Sequence, residues 1–317
     1  MSSIETRFLM TYPAMSAYEF DHFREEAAVQ ERWRSASLYM ICQRPVIFFD
    51  DVVAESGVIS GRIRQRGNAT ALRFELDILP GQPYFGSTSE TIIEFNFYDH
   101  QPTPTPPLKN VAAIKFFDSE NKFTGYLSPE RLLFEHLRIG KFARIKGDIS
   151  ALLRYEVHYI GQAQDQPIER RLRRHETFQR ILAREFPRIA QDIPTMEISL
   201  LFFGLDYAST PVTFQILDGG ELSDSQGRPL SDKEAEEALL STRLERFRNE
   251  IVNDAEAYLI NFMLPRYNHV RYANYPLISN GLRSCGFDRI EHQVIPFGTL
   301  ETEEATMKFS VSPVFSH

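Results

Sequence analysis

RYEVHYIGQAQDQPIERRLRRHE, residues 154–176, passes from strand to helix and decides how the second half of the chain is read. Tyr155 to Ile160 reads as a short strand, on which Tyr155 and Tyr159 would share a face because side chains alternate with period two. Asp165 followed by Pro167 opens a helix that the sequence carries to about Glu185, and Pro187 helps to stop it. Arg171 and His175 stand four apart on that helix and share a face. Upstream, Phe142 to Ile149 is a second short strand, close enough to form an antiparallel hairpin with the first. Downstream, Met196 to Phe203 is apolar on both faces, as a central strand would be. Residues 218–229 (DGGELSDSQGRP) form a polar loop, and Ser231 and Glu234 have capping-box spacing. A long helix, continuous or broken once, then runs to about Leu264, before Pro265. The tail after Asn274 adds strands near Gln293 to Phe297 and Met307 to Val311.

The first third reads as β-rich. Leu72, Phe74, Leu76 and Ile78 alternate with Arg73, Glu75 and Asp77, and Ile93, Phe95 and Phe97 repeat the pattern. Leu38 to Phe49, Val58 to Arg66 and Val111 to Phe117 are further strands, punctuated by turns at Gly67-Asn68 and Pro80-Gly81. Ser16 to Arg34 reads as a helix, and so does Ser128 to Leu137, with Ser128 as cap and Pro129 in the first helical position. Gln101 to Pro107 is an extended, proline-rich connection. The expectation is an α+β protein with a β-rich domain over 1–140, able to select substrate, and a second domain over 141–317. The second would hold a small three-stranded antiparallel sheet flanked by helices.

Composition narrows the function classes. No apolar run is long enough to predict a membrane-spanning helix, and the first eleven residues lack a signal-peptide layout, so the expected setting is the cytoplasm, away from membranes. Cys42 and Cys285 make neither a metal cluster nor a disulfide framework. The net charge of −8 argues against a protein that coats nucleic acid through bulk charge. Yet Lys141 to Arg188 holds eleven Lys/Arg against six Asp/Glu, densest at Arg170, Arg171, Arg173 and Arg174. Such a cluster fits either a phosphate-tracking groove or a solvated helix face.

Single residues admit plain readings. Tyr159 suits a strand core, His175 a surface hydrogen bond, and Asn268 a helix exit. Glu256 is harder to place, because its helical neighbours Val252, Leu259 and Ile260 put it at the edge of an apolar stripe. A carboxylate there is costly unless it meets a cation or a metal, and an ion pair with Arg171 would meet that need without catalysis.

Taken together, Tyr159-Ile160-Gly161 at a strand end, Arg171-Leu-Arg-Arg-His175 on the next helix, helical Glu256, and Pro265-Arg-Tyr-Asn268 resemble the GIY-YIG nuclease superfamily over residues 142–268. The spacing from Glu256 to Asn268 is most similar to the incision subunit of bacterial excision repair. The resemblance implies a metal-dependent endonuclease that hydrolyses DNA phosphodiester bonds in restriction, phage defence or mobile-element biology. It implies Tyr159 in proton transfer, Arg171 on the scissile phosphate, Glu256 as ligand to Mg²⁺ or Mn²⁺, His175 as a second polar contact and Asn268 as organiser. Gly161 would border the substrate, and Arg170, Arg173 and Arg174 would hold neighbouring phosphates. The family also carries a Gly-x-Tyr motif on the strand before Tyr159. Here that stretch, Lys146 to Ser150, reads KGDIS and has no tyrosine. A module of the same fold that binds nucleic acid or a protein without cutting is the alternative.

Overall fold

The computed structural model describes residues 3–23, 26–69, 71–78, 91–98, 105–140, 142–164, 166–185, 195–209, 215–216, 222–223 and 247–308. The chain opens with β1 (Ser3–Met10), β2 (Met15–Ser16), α1 (Ala17–Phe23), α2 (Ala27–Trp33) and β3 (Ala36–Pro45). A run of strands follows: β4 (Ile47–Glu55), β5 (Val58–Gln65), β6 (Ala71–Asp77), β7 (Ile92–Phe97), β8 (Val111–Phe117) and β9 (Phe123–Leu127). Then come α3 (Pro129–Ile139), β10 (Arg144–Lys146), β11 (Arg154–Gln162), α4 (Ile168–Arg173), α5 (Glu176–Glu185) and β12 (Met196–Ser209). The small β13 (Gln215–Ile216) and β14 (Leu222–Ser223) precede α6 (Arg248–Met263), β15 (Arg289–Ile295), β16 (Thr299–Glu301) and β17 (Thr306–Lys308). None of the helices described is long and apolar enough to cross a membrane.

These elements form a mixed α+β protein built on two large sheets. The first is eight-stranded, in the order β15-β1-β12-β3-β11-β16-β17, with β2 beside β12. The second is seven-stranded, in the order β10-β6-β5-β4-β8-β7, with β9 beside β8. Every strand of the second sheet lies in sequence between β3 and β11, which are hydrogen-bonded neighbours in the first. The sheets therefore do not divide at residue 140. The chain leaves the first sheet at Val46, builds the second, and returns at β11.

Several local expectations are corrected by this topology. Phe142 to Ile149 does not form a hairpin with β11; its strand core, β10, pairs with β6 instead, and residues 149–151 form a 3-10 turn. The antiparallel partner of β11 is β3, which also pairs with β12. Nearly all of β3 is buried, because both of its faces are covered and both of its edges are paired. The single strand expected over Leu38 to Phe49 is two strands in different sheets, and the helix expected over Ser16 to Arg34 is α1 and α2. The helix expected from Asp165 to Glu185 breaks between Arg173 and Glu176. Asp165, Pro187, most of the polar loop over 218–229 and the capping box at Ser231 and Glu234 lie outside the described residues.

The α3 expectation agrees with its cap geometry. Ser128 Oγ accepts the Arg131 N–H, Pro129 occupies the first turn, and Gly140 closes the helix at φ 75°. One core face of the first sheet packs Trp33, Tyr39, Ile41, Leu172, Ile181, Leu200 and Phe202 beneath α1, α2, α4 and α5. The other packs Leu38, Met40, Ile160, Leu201 and Phe203 against α3, α6 and the second sheet.

Candidate functional site

The site begins with a register. In the pairing of β3 with β11, Tyr39 stands opposite Gly161 and Ile41 opposite Tyr159, so Tyr39 and Tyr159 are diagonal neighbours on one face. Their ring centroids are 6.1 Å apart. A Cβ on Gly161 would lie 2.7 Å from Tyr159 Cε1 and 2.7 Å from Tyr39 Cζ and Oη. Glycine is thus what allows both rings to close over the strand.

The register shifts at His158, the extra residue of a β-bulge between Val157 and Tyr159. Two residues apart yet on opposite faces, Val157 packs in the core toward α6 and Tyr159 against the core under α4 and α5. For the same reason Tyr155 does not share a face with Tyr159. It is buried on the other side, with the Arg44 guanidinium 5.5 Å from its ring. The exit of α6 holds the bulge in place: Tyr267 donates its N–H to the His158 carbonyl at 3.0 Å. Asn268 is buried, donates through Nδ2 to the Ile160 carbonyl (2.8 Å) and accepts the Ile160 N–H (2.9 Å).

His175 lies at the junction of α4 and α5. Its Nδ1 accepts the Phe178 N–H at 3.2 Å, as a cap on α5, which leaves the ring proton on Nε2. Nε2 is 3.2 Å from Tyr159 Oη, and the two rings meet edge to face at 4.8 Å. Burial, with Arg171 and Arg180 nearby, holds the imidazole down at about 4, so it is neutral at pH 7. The Tyr159 oxygen therefore accepts from His175, and its own proton is free for another partner.

Arg171 projects from α4 and is half-buried, whereas Arg170, Arg173 and Arg174 are exposed. Its guanidinium lies close enough to the Tyr39 hydroxyl for each to shift the other's titration. Tyr39 Oη and Arg171 Nε are nonetheless buried and meet no partner in full hydrogen-bond geometry, which is uncommon for buried polar groups. Burial raises the Tyr39 hydroxyl far above its ordinary range, with Tyr159 adding and Arg171 opposing. Tyr159 is raised by burial and by Glu256. Both phenols keep their protons at neutral pH.

Glu256, on α6, is 8% exposed. Burial pushes its carboxyl up to about 7, against the pull of Arg171 and the Gln162 side chain. Among the described residues Glu256 makes no direct ion pair with Arg171; the two interact through space. Tyr39, Tyr159, Arg171, His175 and Glu256 are thus one electrostatically coupled group, and Asn268 and Gly161 shape the strand beneath it. Sequence reading missed Tyr39 and Gln162. The only trace of Tyr39 was an aromatic in the third position of Ser37-Leu38-Tyr39, separated from its partner strand by the whole second sheet.

Among the described residues no three His, Cys, Asp or Glu side chains converge as a metal cluster. A hard divalent ion needs no such cluster, since Mg²⁺ keeps several waters and is held by one or two carboxylates plus substrate oxygens. The Glu256 carboxylate, costly to bury as a lone anion, fits that requirement. No protein-family model, curated protein or solved structure matches this chain.

Proposed function

We propose that the chain is a GIY-YIG-type endonuclease whose first tyrosine motif lies on β3 and whose second sheet is an insertion between the two motif strands. In this reading Tyr39 fills the position that KGDIS at Lys146 to Ser150 leaves without a tyrosine, with Ser37 where the family has glycine. The three-stranded antiparallel unit is β11-β3-β12, followed in sequence by α4 and α5 after β11 and by α6 after β12. The remaining strands of the first sheet extend it on both sides. The observation that supports the proposal is the gathering of Tyr39, Tyr159, Arg171, His175 and Glu256 into one coupled cluster, with both tyrosines on a single face of β3 and β11.

The substrate is DNA. Arg171 presents a guanidinium whose fork matches two phosphate oxygens, and Arg170, Arg173 and Arg174 line the exposed approach. A Mg²⁺ or Mn²⁺ ion held by Glu256 would supply Lewis-acid polarisation of the phosphate and lower the pKa of the attacking water. His175 Nε2–H fixes the Tyr159 oxygen, so the Tyr159 proton points to a partner in the site. Because both phenols are protonated at rest, Tyr159 and Tyr39 act as donors to charge that develops on the phosphate or leaving oxygen. Arg171 supports the same charge.

Burial of Tyr39 and Glu256 also suits a module that binds without cutting. Supercoiled plasmid separates the readings. The nuclease should nick it with Mg²⁺ or Mn²⁺, stop on adding EDTA, and lose activity in Glu256→Ala and Tyr39→Phe. Equal nicking by wild type and both variants would sink the proposal. Retained DNA binding with no nicking by wild type would leave the non-cutting module.

A further inference from the structure

At the opposite end of the strands from Tyr159 the two sheets splay around a cavity of about 650 Å³, a size typical of small-molecule sites. Glu197 on its wall and Phe202, the β12 partner of Tyr39, are separated by roughly 17 Å of strand, so the cavity is not part of the nuclease site. Its apolar wall is aromatic: Phe95, Phe97, Tyr98 and Tyr126, with Ala112 on the strand between them. Its polar wall is acidic: Glu19, Glu130 and Glu197.

Among the described residues that line the cavity, carboxylates are the only charged groups. Arg44, 1% exposed, donates through Nη2 to Glu130 and to Glu197 (2.5 Å), and through Nε to Ser199 (3.2 Å). One guanidinium thus faces two buried carboxylates, and Glu19, bonded to the Tyr126 hydroxyl at 3.0 Å, adds a third. Burial pushes Tyr98 and Tyr126 well above the ordinary phenol range, with neighbouring carboxylates adding and, at Tyr98, Arg44 and Arg66 opposing; burial lifts Glu197 against the pull of Arg44. Arg44 Nη1 is buried and unpartnered, but a guanidinium flanked by two carboxylates does not make an anion site.

Carboxylates in excess beside aromatic faces are the two features that stabilise a desolvated cation, the first by charge and the second by the ring quadrupole. We infer that the cavity between the sheets binds a small organic cation, a protonated amine carried on an apolar or aromatic body. The inference does not depend on whether the chain cuts DNA.

Isothermal titration of the whole chain with tyramine and agmatine tests it, beside tyrosol as the neutral counterpart of tyramine and 4-hydroxyphenylacetate as the anion. Saturable binding of the amines is expected, with tyrosol weaker by at least about tenfold and no binding of the acid. Glu19→Gln, which leaves Arg44 and its partners intact, should weaken tyramine by about tenfold. Ala112→Phe, which fills the cavity from a half-buried strand position, should abolish binding while thermal melts stay cooperative. Tyrosol binding as tightly as tyramine would overturn the inference. So would undiminished binding by folded Ala112→Phe, or no saturation by either amine.

Discussion

The Nε2–H of His175 donates to the Tyr159 hydroxyl oxygen across 3.2 Å, because His175 Nδ1 is already taken by the Phe178 N–H. The imidazole is a fixed donor, held neutral by burial and nearby arginines. Replacing it should therefore change rate more than binding. His175→Ala should lower kcat of plasmid nicking by roughly 10²-fold with little change in DNA affinity, and Tyr159→Phe by as much or more. Their double variant should be no worse than Tyr159→Phe alone. Fully additive losses would show that the two act separately.

On the proposed nuclease reading, Glu256 should set the acid side of the pH profile. Its carboxyl titrates at about 7 in the free protein, so activity at low Mg²⁺ should rise about tenfold per pH unit below that value. Saturating Mg²⁺ should move the midpoint to lower pH, because ion and proton compete for one carboxylate. The stability effect has the opposite sense. A folded pKa above the unfolded one contributes stability that is present below about pH 4.5 and lost as pH rises through about 7. Relative to wild type, Glu256→Gln should gain stability from pH 4 to pH 8, by at most about 3 kcal/mol. Urea unfolding at both pH values measures it, and a pH-independent difference would contradict the buried carboxylate.

Gly161 is a steric requirement of the two rings. Gly161→Ala places a Cβ 2.7 Å from both rings, so that one of these packed side chains must shift. It should destabilise the protein by about 1–3 kcal/mol and displace Tyr39 from Tyr159. The same substitution in a Tyr39→Ala background should cost measurably less, since one of the two clashing rings is gone. Equal costs in both backgrounds would place the constraint elsewhere.

The exposed arginines should behave unlike Arg171. A triple substitution of Arg170, Arg173 and Arg174 to alanine should weaken DNA binding and flatten its salt dependence, by at most about one unit of slope per phosphate contact. Arg171→Ala should lose far more rate than affinity. Salt titrations of binding beside nicking assays distinguish them. A triple variant that binds like wild type at every salt would make the cluster a solvated helix face.

Local chemistry was legible in the sequence wherever one segment carries it. The α3 cap at Ser128, the β6 and β7 alternation and the buried edge position of Glu256 follow from short-range patterning and spacing. Tyr159, Arg171 and His175 could be picked out because β11 and α4 are close in sequence. The tertiary structure alone decided the rest. That β3 is the neighbour of β11 depends on hydrogen bonds between segments separated by an entire sheet, which no local period encodes. The bulge at His158, which turns Tyr155 and Tyr159 to opposite faces, is likewise invisible in a strand pattern, since one extra residue inverts every later side chain. Only the packing of β3 against β11 set Tyr39 beside Tyr159, where Gly161 leaves it room.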